Sequence, residues 1–68
     1  MNTNDLRKLI EIAEKYNGAG CNVFGGAGHD EIWFDLPEKD DISKADKKAL
    51  DKIGLFWSQD YDCWSKFV

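Results

Sequence analysis

Leu55-Phe-Trp-Ser-Gln-Asp-Tyr-Asp-Cys-Trp-Ser-Lys-Phe-Val68 closes the chain and carries five of its nine aromatic side chains, two of the three tryptophans among them. The segment predicts a β-hairpin. Side chains alternate between the two faces of a strand, so its arms cannot turn every ring inward. Which rings share a face depends on the loop. A two-residue turn at Asp60-Tyr61 pairs Trp57 with Trp64 beside Leu55 and leaves Phe56 and Phe67 on the other face. A three-residue loop, Asp60 to Asp62, groups Leu55, Trp57, Cys63 and Phe67 against Phe56, Trp64 and Val68. The longer loop is preferred, because it keeps both aspartates at the tip and gathers large apolar residues on one face.

Upstream of the hairpin, Ser43-Lys-Ala-Asp46 has the spacing of a capping box, with Ile42 placed to begin a hydrophobic staple. A helix follows with Ala45, Ala49, Leu50 and Ile53 as its inner face, stopped by Gly54. Before it, Ile32, Phe34 and Leu36 alternate with Glu31, Trp33 and Asp35, the pattern of a strand from Asp30 to Leu36 buried on one face and ended by Pro37. The glycine-rich run Asn17 to His29 brackets Cys21 to Phe24, read as a brief strand entering a hairpin loop. At the start, Leu6, Leu9, Ile10, Ala13 and Tyr16 form an amphipathic helical stripe, with Thr3 or Asn4 as N-cap and Gly18 as the stop.

The predicted architecture is a single α+β domain over residues 1–68, ordered αββαββ, with a four-stranded, mostly antiparallel sheet and two helices packed on it. Each half has the same αββ order. A domain of 68 residues lies near the size at which one core contributes only about 3 to 5 kcal/mol net, so most of the hairpin's rings are needed inside. No apolar run approaches a membrane span, and the start lacks the order of a signal peptide; a cytoplasmic protein is expected, as monomer or homodimer. Cys21 and Cys63 lack CxxC spacing. Two free, partly buried thiols are expected in a reducing compartment, with a Cys21–Cys63 disulfide as the alternative.

The net charge is −4, which argues against direct nucleic-acid binding and favours basic partners. The acidity is local. Asp30, Glu31, Asp35, Glu38, Asp40 and Asp41, against Lys39 alone, give −5 between residues 30 and 41, leaving +1 for the rest. On the strand, Glu31 and Asp35 flank Trp33. With Asp60 and Asp62 at the hairpin tip, Glu31, Trp33, Asp35, Glu38, Asp40 and Asp41 are the candidate partner-binding residues: a surface resembling a run of phosphates, fit for a basic groove on another protein. The lysines of the second helix alternate with acids, the pattern of a solvated face.

Catalytic arrangements are poorly supplied. His29 is the sole histidine, and a Cys-His-Asp set with Cys21 or Cys63 has no spacing to support it. Metal-ligand spacing is missing too, and the glycines fit neither dinucleotide nor phosphate-loop patterns. No catalytic residue, metal or cofactor is assigned. A small thiol enzyme, and a single-stranded nucleic-acid binder stacking bases on Trp33, Trp57 and Trp64, are the alternatives to a protein-interaction module.

The stretch Leu50-Asp-Lys-Ile-Gly-Leu-Phe-Trp-Ser-Gln-Asp-Tyr-Asp-Cys-Trp-Ser-Lys-Phe-Val68 resembles the ending of small orphan proteins carried by phages and other mobile elements. In size, charge and want of catalytic motifs the chain is similar to small acidic anti-CRISPR proteins. That resemblance implies an inhibitor in the host cytoplasm that blocks the nucleic-acid-binding surface of a CRISPR effector complex. It assigns no role to any single residue.

Overall fold

The computed structural model describes residues 1–67. Its elements are helix α1 (Thr3–Asn17), strands β1 (Phe24–Gly28) and β2 (Glu31–Phe34), a single 3₁₀ turn (Lys39–Asp41), helix α2 (Lys44–Ile53), and strands β3 (Phe56–Ser58) and β4 (Cys63–Phe67). The four strands form one antiparallel sheet in the order β1-β2-β4-β3, so the αββαββ order and the α+β class expected above describe the molecule. No helix among the described residues is long and apolar enough to cross a membrane.

Helix α1 begins one or two residues earlier than its sequence signals suggest, neither Thr3 nor Asn4 being the cap. Asn2 is the N-cap: its Oδ1 accepts from the Asp5 amide at 2.8 Å, and the Asn2 amide donates to the Asp5 carboxylate at 3.4 Å, a reciprocal capping box. The buried stripe is Leu9, Ile12 and Ala13, with Tyr16 packed against the core, while Leu6 and Ile10 stay more than a third exposed. The helix is therefore rotated from the expected face toward α2. In α2, Ser43 is the N-cap, its Oγ accepting from the Asp46 amide at 3.2 Å, but the other half of the expected capping box is not made, because the Ser43 amide donates to Tyr16 instead; Gly54 ends the helix in the left-handed region at φ 103°. The inner face differs by one position: Ala45 is exposed, and Asp46 is buried beside Leu50 and Ile53.

Asp46 is buried because α1 supplies its partners. Tyr16 Oη donates to Asp46 Oδ2 at 2.6 Å and Lys15 Nζ approaches the same oxygen at 2.8 Å. The Ser43 amide in turn donates to Tyr16 Oη at 3.0 Å, tying the N-terminus of α2 to the end of α1. The hydrogen bonds from Lys15 and Tyr16 outweigh the cost of burial and hold the Asp46 carboxyl down at about 2.

The glycine-rich segment is a strand where a loop was expected. β1 runs through Phe24-Gly-Gly-Ala-Gly28, and the connection to β2 is His29-Asp30, with Asp30 at φ 57°. Gly26 and Gly28 stand opposite Trp33 and Glu31, and a Cβ on Gly28 would come within 2.9 Å of the indole Cη2, one on Gly26 within 3.1 Å of Cε3. The indole lies across the strand, and only glycine leaves it the room. An aromatic ring covering cross-strand glycines compensates for the weak strand preference that made this run look like a loop.

The terminal hairpin has the register set aside above. Trp57 faces Trp64 and Phe56 faces Ser65, with Ser58 and Cys63 closing a loop from Gln59 to Asp62. Trp57 and Trp64 meet edge to face, centroids 5.8 Å apart at 80°, and Trp64 Nε1 donates to the Pro37 carbonyl at 3.0 Å. Both point to the helices beside Leu55; the preferred grouping of Phe67 with Trp57 does not occur, and Val68 lies outside the described residues. The register wins because it sets both indoles on the core side, Trp64 buried and Trp57 half-buried, and finds an acceptor for the buried Trp64 N–H. Leu9, Ile12, Phe34, Ile42, Leu50, Ile53, Leu55 and Trp64 make the core between helices and sheet.

Candidate functional site

Alternation along the strands sends a second set of side chains to the face that carries no helix. From β2 these are Glu31 and Trp33, from β4 Cys63, Ser65 and Phe67, from β3 Phe56 and Ser58. Ser65 sits between Trp33 and Phe56 across the sheet and is fully buried. Two aromatic pairs flank it. Trp33 packs on Tyr61 of the β3–β4 loop with centroids 5.0 Å apart, and Phe56 on Phe67 at 4.9 Å. The outer rings remain open: Tyr61 is 59 % and Phe67 64 % exposed. The result is an aromatic platform, held by ring-to-ring packing, on a sheet face open to solvent.

Acidic groups edge this platform. Trp33 Nε1 donates to Glu31 Oε2 at 3.0 Å, which orients the indole and holds the carboxylate beside it. Asp35 shares a cleft of about 370 Å³ with Gly25, Trp33, Phe34, Tyr61 and Cys63. Round the end of the sheet, Glu38 and Asp62 line a second cleft of about 340 Å³ with Leu36 and Trp57. No lysine or arginine occupies any of the open-face positions of β2, β3 or β4. Lys39, the one base within the acidic run, lies with its Nζ 5.9 Å from the centre of the Trp57 ring.

The candidate residues thus separate into groups. Glu31, Trp33 and Asp35 come together, and Glu38 joins Asp62. Asp40 and Asp41 are exposed in the 3₁₀ turn ahead of α2 and line neither cleft, and Asp60 is exposed in the hairpin loop without lining one. Trp33 is half-buried, covering β1 on one side and meeting Tyr61. The sequence reading did not include Tyr61, Phe56 and Phe67 in the site. The signal for the phenylalanines was present in the tighter hairpin register, which places both on the face opposite the tryptophan pair.

Other chemistries find less support in the geometry. His29 is in the β1–β2 turn, whereas Cys63 begins β4 at the far end of β2, a separation of about 15 Å or more at strand rise. Cys21 precedes β1 at that same far end; both thiols are free and half-buried. Among the described residues no three His, Cys, Asp or Glu side chains gather at a metal-sized site. The three indoles share no stacking surface, since Trp57 and Trp64 face the helices. No family model matches this chain, and neither a curated protein nor a solved structure matches it.

Proposed function

We propose that this chain is a small acidic protein-interaction module acting by contact, with the helix-free sheet face as its docking surface. Its partner is a protein whose basic surface ordinarily holds nucleic acid, and occupation of that surface inhibits the partner, in the manner of small acidic anti-CRISPR proteins on a CRISPR effector. The observation that carries this reading is the platform itself. Rings pack over a buried serine on an open face, their outer sides exposed, with Glu31 and Asp35 at the margin and no base among them. An aromatic centre with a polar rim is the anatomy of protein interfaces, and the one-signed rim selects a positive partner. A nucleic acid would meet carboxylates where it needs lysine and arginine.

The test is displacement. The protein is titrated into guide-loaded CRISPR effectors holding labelled target DNA, at low and at high salt. DNA binding by a susceptible effector is expected to fall, less so at high salt, and to recover when Tyr61→Ala and Asp35→Lys are combined. If the double variant inhibits as well as the parent, the open face is not the docking surface. If no effector loses DNA and none binds the protein, the inhibitory reading fails.

A further inference from the structure

We infer that β1 is a docking edge for an extended basic segment of the partner, which adds to the sheet as a fifth strand. This deepens the reading above and rests on it. The sheet has two edges, β1 and β3. β3 is three residues long; β1 has five, four of them exposed, with no charge and no proline among them. Edges of stable sheets are ordinarily blunted by such residues or covered by another element. One such device is present, the bulge between Phe24 and Gly26, and it leaves the Gly26–Gly28 end in regular register with β2.

Geometry says what the edge offers. The two-residue connection His29-Asp30 makes Gly28 and Glu31 the closing pair, which exchanges its hydrogen bonds inward. The next pair, Ala27 with Ile32, then turns the Ala27 N–H and C=O outward, free to bond an incoming strand. On the open face, Gly26 and Gly28 present no side chain, and the Trp33 indole reaches over them within 3.1 and 2.9 Å of where a Cβ would stand. Open-face side chains of an added strand, about 4.8 Å beyond β1, would therefore meet the indole directly. Its Nε1–H is already held by Glu31 at 3.0 Å, so that carboxylate stands next to the ring. The Glu31 carboxylate at the rim of the ring suits lysine or arginine, and Asp30 in the adjoining turn adds charge of the same sign. Strand addition supplies main-chain hydrogen bonds, and alternate basic side chains supply selectivity.

The probe is an end-blocked peptide Lys-Val-Arg-Val-Lys-Val, titrated into the intact protein and followed by amide chemical shifts and hydrogen exchange. The Ala27 amide is expected to slow in exchange on binding, and Ala27→Pro, which removes that outward donor, to weaken binding about tenfold. The exchange measurement is made on the unmodified chain and does not depend on the variant's folding. The edge inference is overturned if the peptide fails to bind, if its glutamate counterpart binds equally well, or if Ala27 protection rises with protein concentration alone, which would make a second copy the occupant. Shifts confined to Phe56, Tyr61 and Phe67 with Ala27 unchanged would also overturn it, yet leave the open face as the docking surface. Loss of the inhibitory reading is seen separately, in the effector titration.

Discussion

The two faces of the one sheet use aromatic residues in opposite ways. Toward the helices, Trp57 and Trp64 meet edge to face, Trp64 is 5 % exposed and its N–H is satisfied by Pro37, so the pair belongs to the core. On the open side, Trp33–Tyr61 and Phe56–Phe67 pack as closely, yet Tyr61 and Phe67 leave most of their surface in water. Ring pairing by itself does not distinguish core from surface. What distinguishes them is whether a second layer covers the pair, and α1 and α2 cover only one side.

The sharpest way to break that comparison is to truncate one ring on each face. Trp64→Ala should cost about 3 to 5 kcal/mol, comparable with the whole stability of a domain this small, and leave the chain largely unfolded by circular dichroism. Phe67→Ala removes a ring of similar packing but should cost only about 1 kcal/mol in urea unfolding, since little of its surface leaves water on folding. Equal losses would mean that the open platform is a second core.

Gly28→Ala tests how β1 joins the open side. A Cβ 2.9 Å from the indole forces Trp33 to move, with an expected loss of about 1 to 2 kcal/mol and a shifted tryptophan emission. At Gly25 the nearest atoms are 3.8 Å away, and Gly25→Ala should be close to neutral. If the two substitutions behave alike, the indole does not rest on the strand.

The helix side also holds a charge. Asp46 is 11 % exposed while its partner Lys15 is 59 % exposed, so solvent screens the pair and Asp46→Asn should cost only about 1 kcal/mol near neutral pH. Folding depresses the Asp46 pKa from 3.8 to about 2. Its contribution is accordingly complete above about pH 4 and lost as pH falls toward 2, because the unfolded chain takes up the proton first. Unfolding free energies of the parent and Asp46→Asn should converge over that window. The smallest expected effect is at the rim, where Asp35→Lys should change stability by less than about 0.5 kcal/mol while reversing the charge beside Tyr61.

Much of the fold was legible because periodicity and punctuation agreed. Ser43 and Gly54 bracket α2, Gly18 stops α1, and the Ile32-Phe34 alternation sits on the buried side of β2. The misreadings have a common cause. Leu6 and Ile10 were as good a stripe as Ile12 until α2 settled which flank of α1 would be covered. Asp46 looked like a surface acid because its partners, Lys15 and Tyr16, lie about thirty residues away. The glycines of β1 read as a loop because the ring that covers them comes from the next strand. Of the candidate site, the cluster of Glu31, Trp33 and Asp35 was legible from strand alternation, whereas its union with Tyr61 required the return of a distant loop.

By itself the amino-acid sequence determined the αββαββ order, the helix ends at Gly18 and Gly54, and a terminal hairpin too rich in rings to bury them all. These are local matters of spacing, capping and backbone freedom, settled within a few residues. The hairpin register, the strand status of Phe24-Gly-Gly-Ala-Gly28, the burial of Asp46 and the choice of Tyr61 and Phe67 as the open rings were decided only in tertiary structure. Each depends on which surfaces two helices can cover at once, and that is a property of the assembled layers.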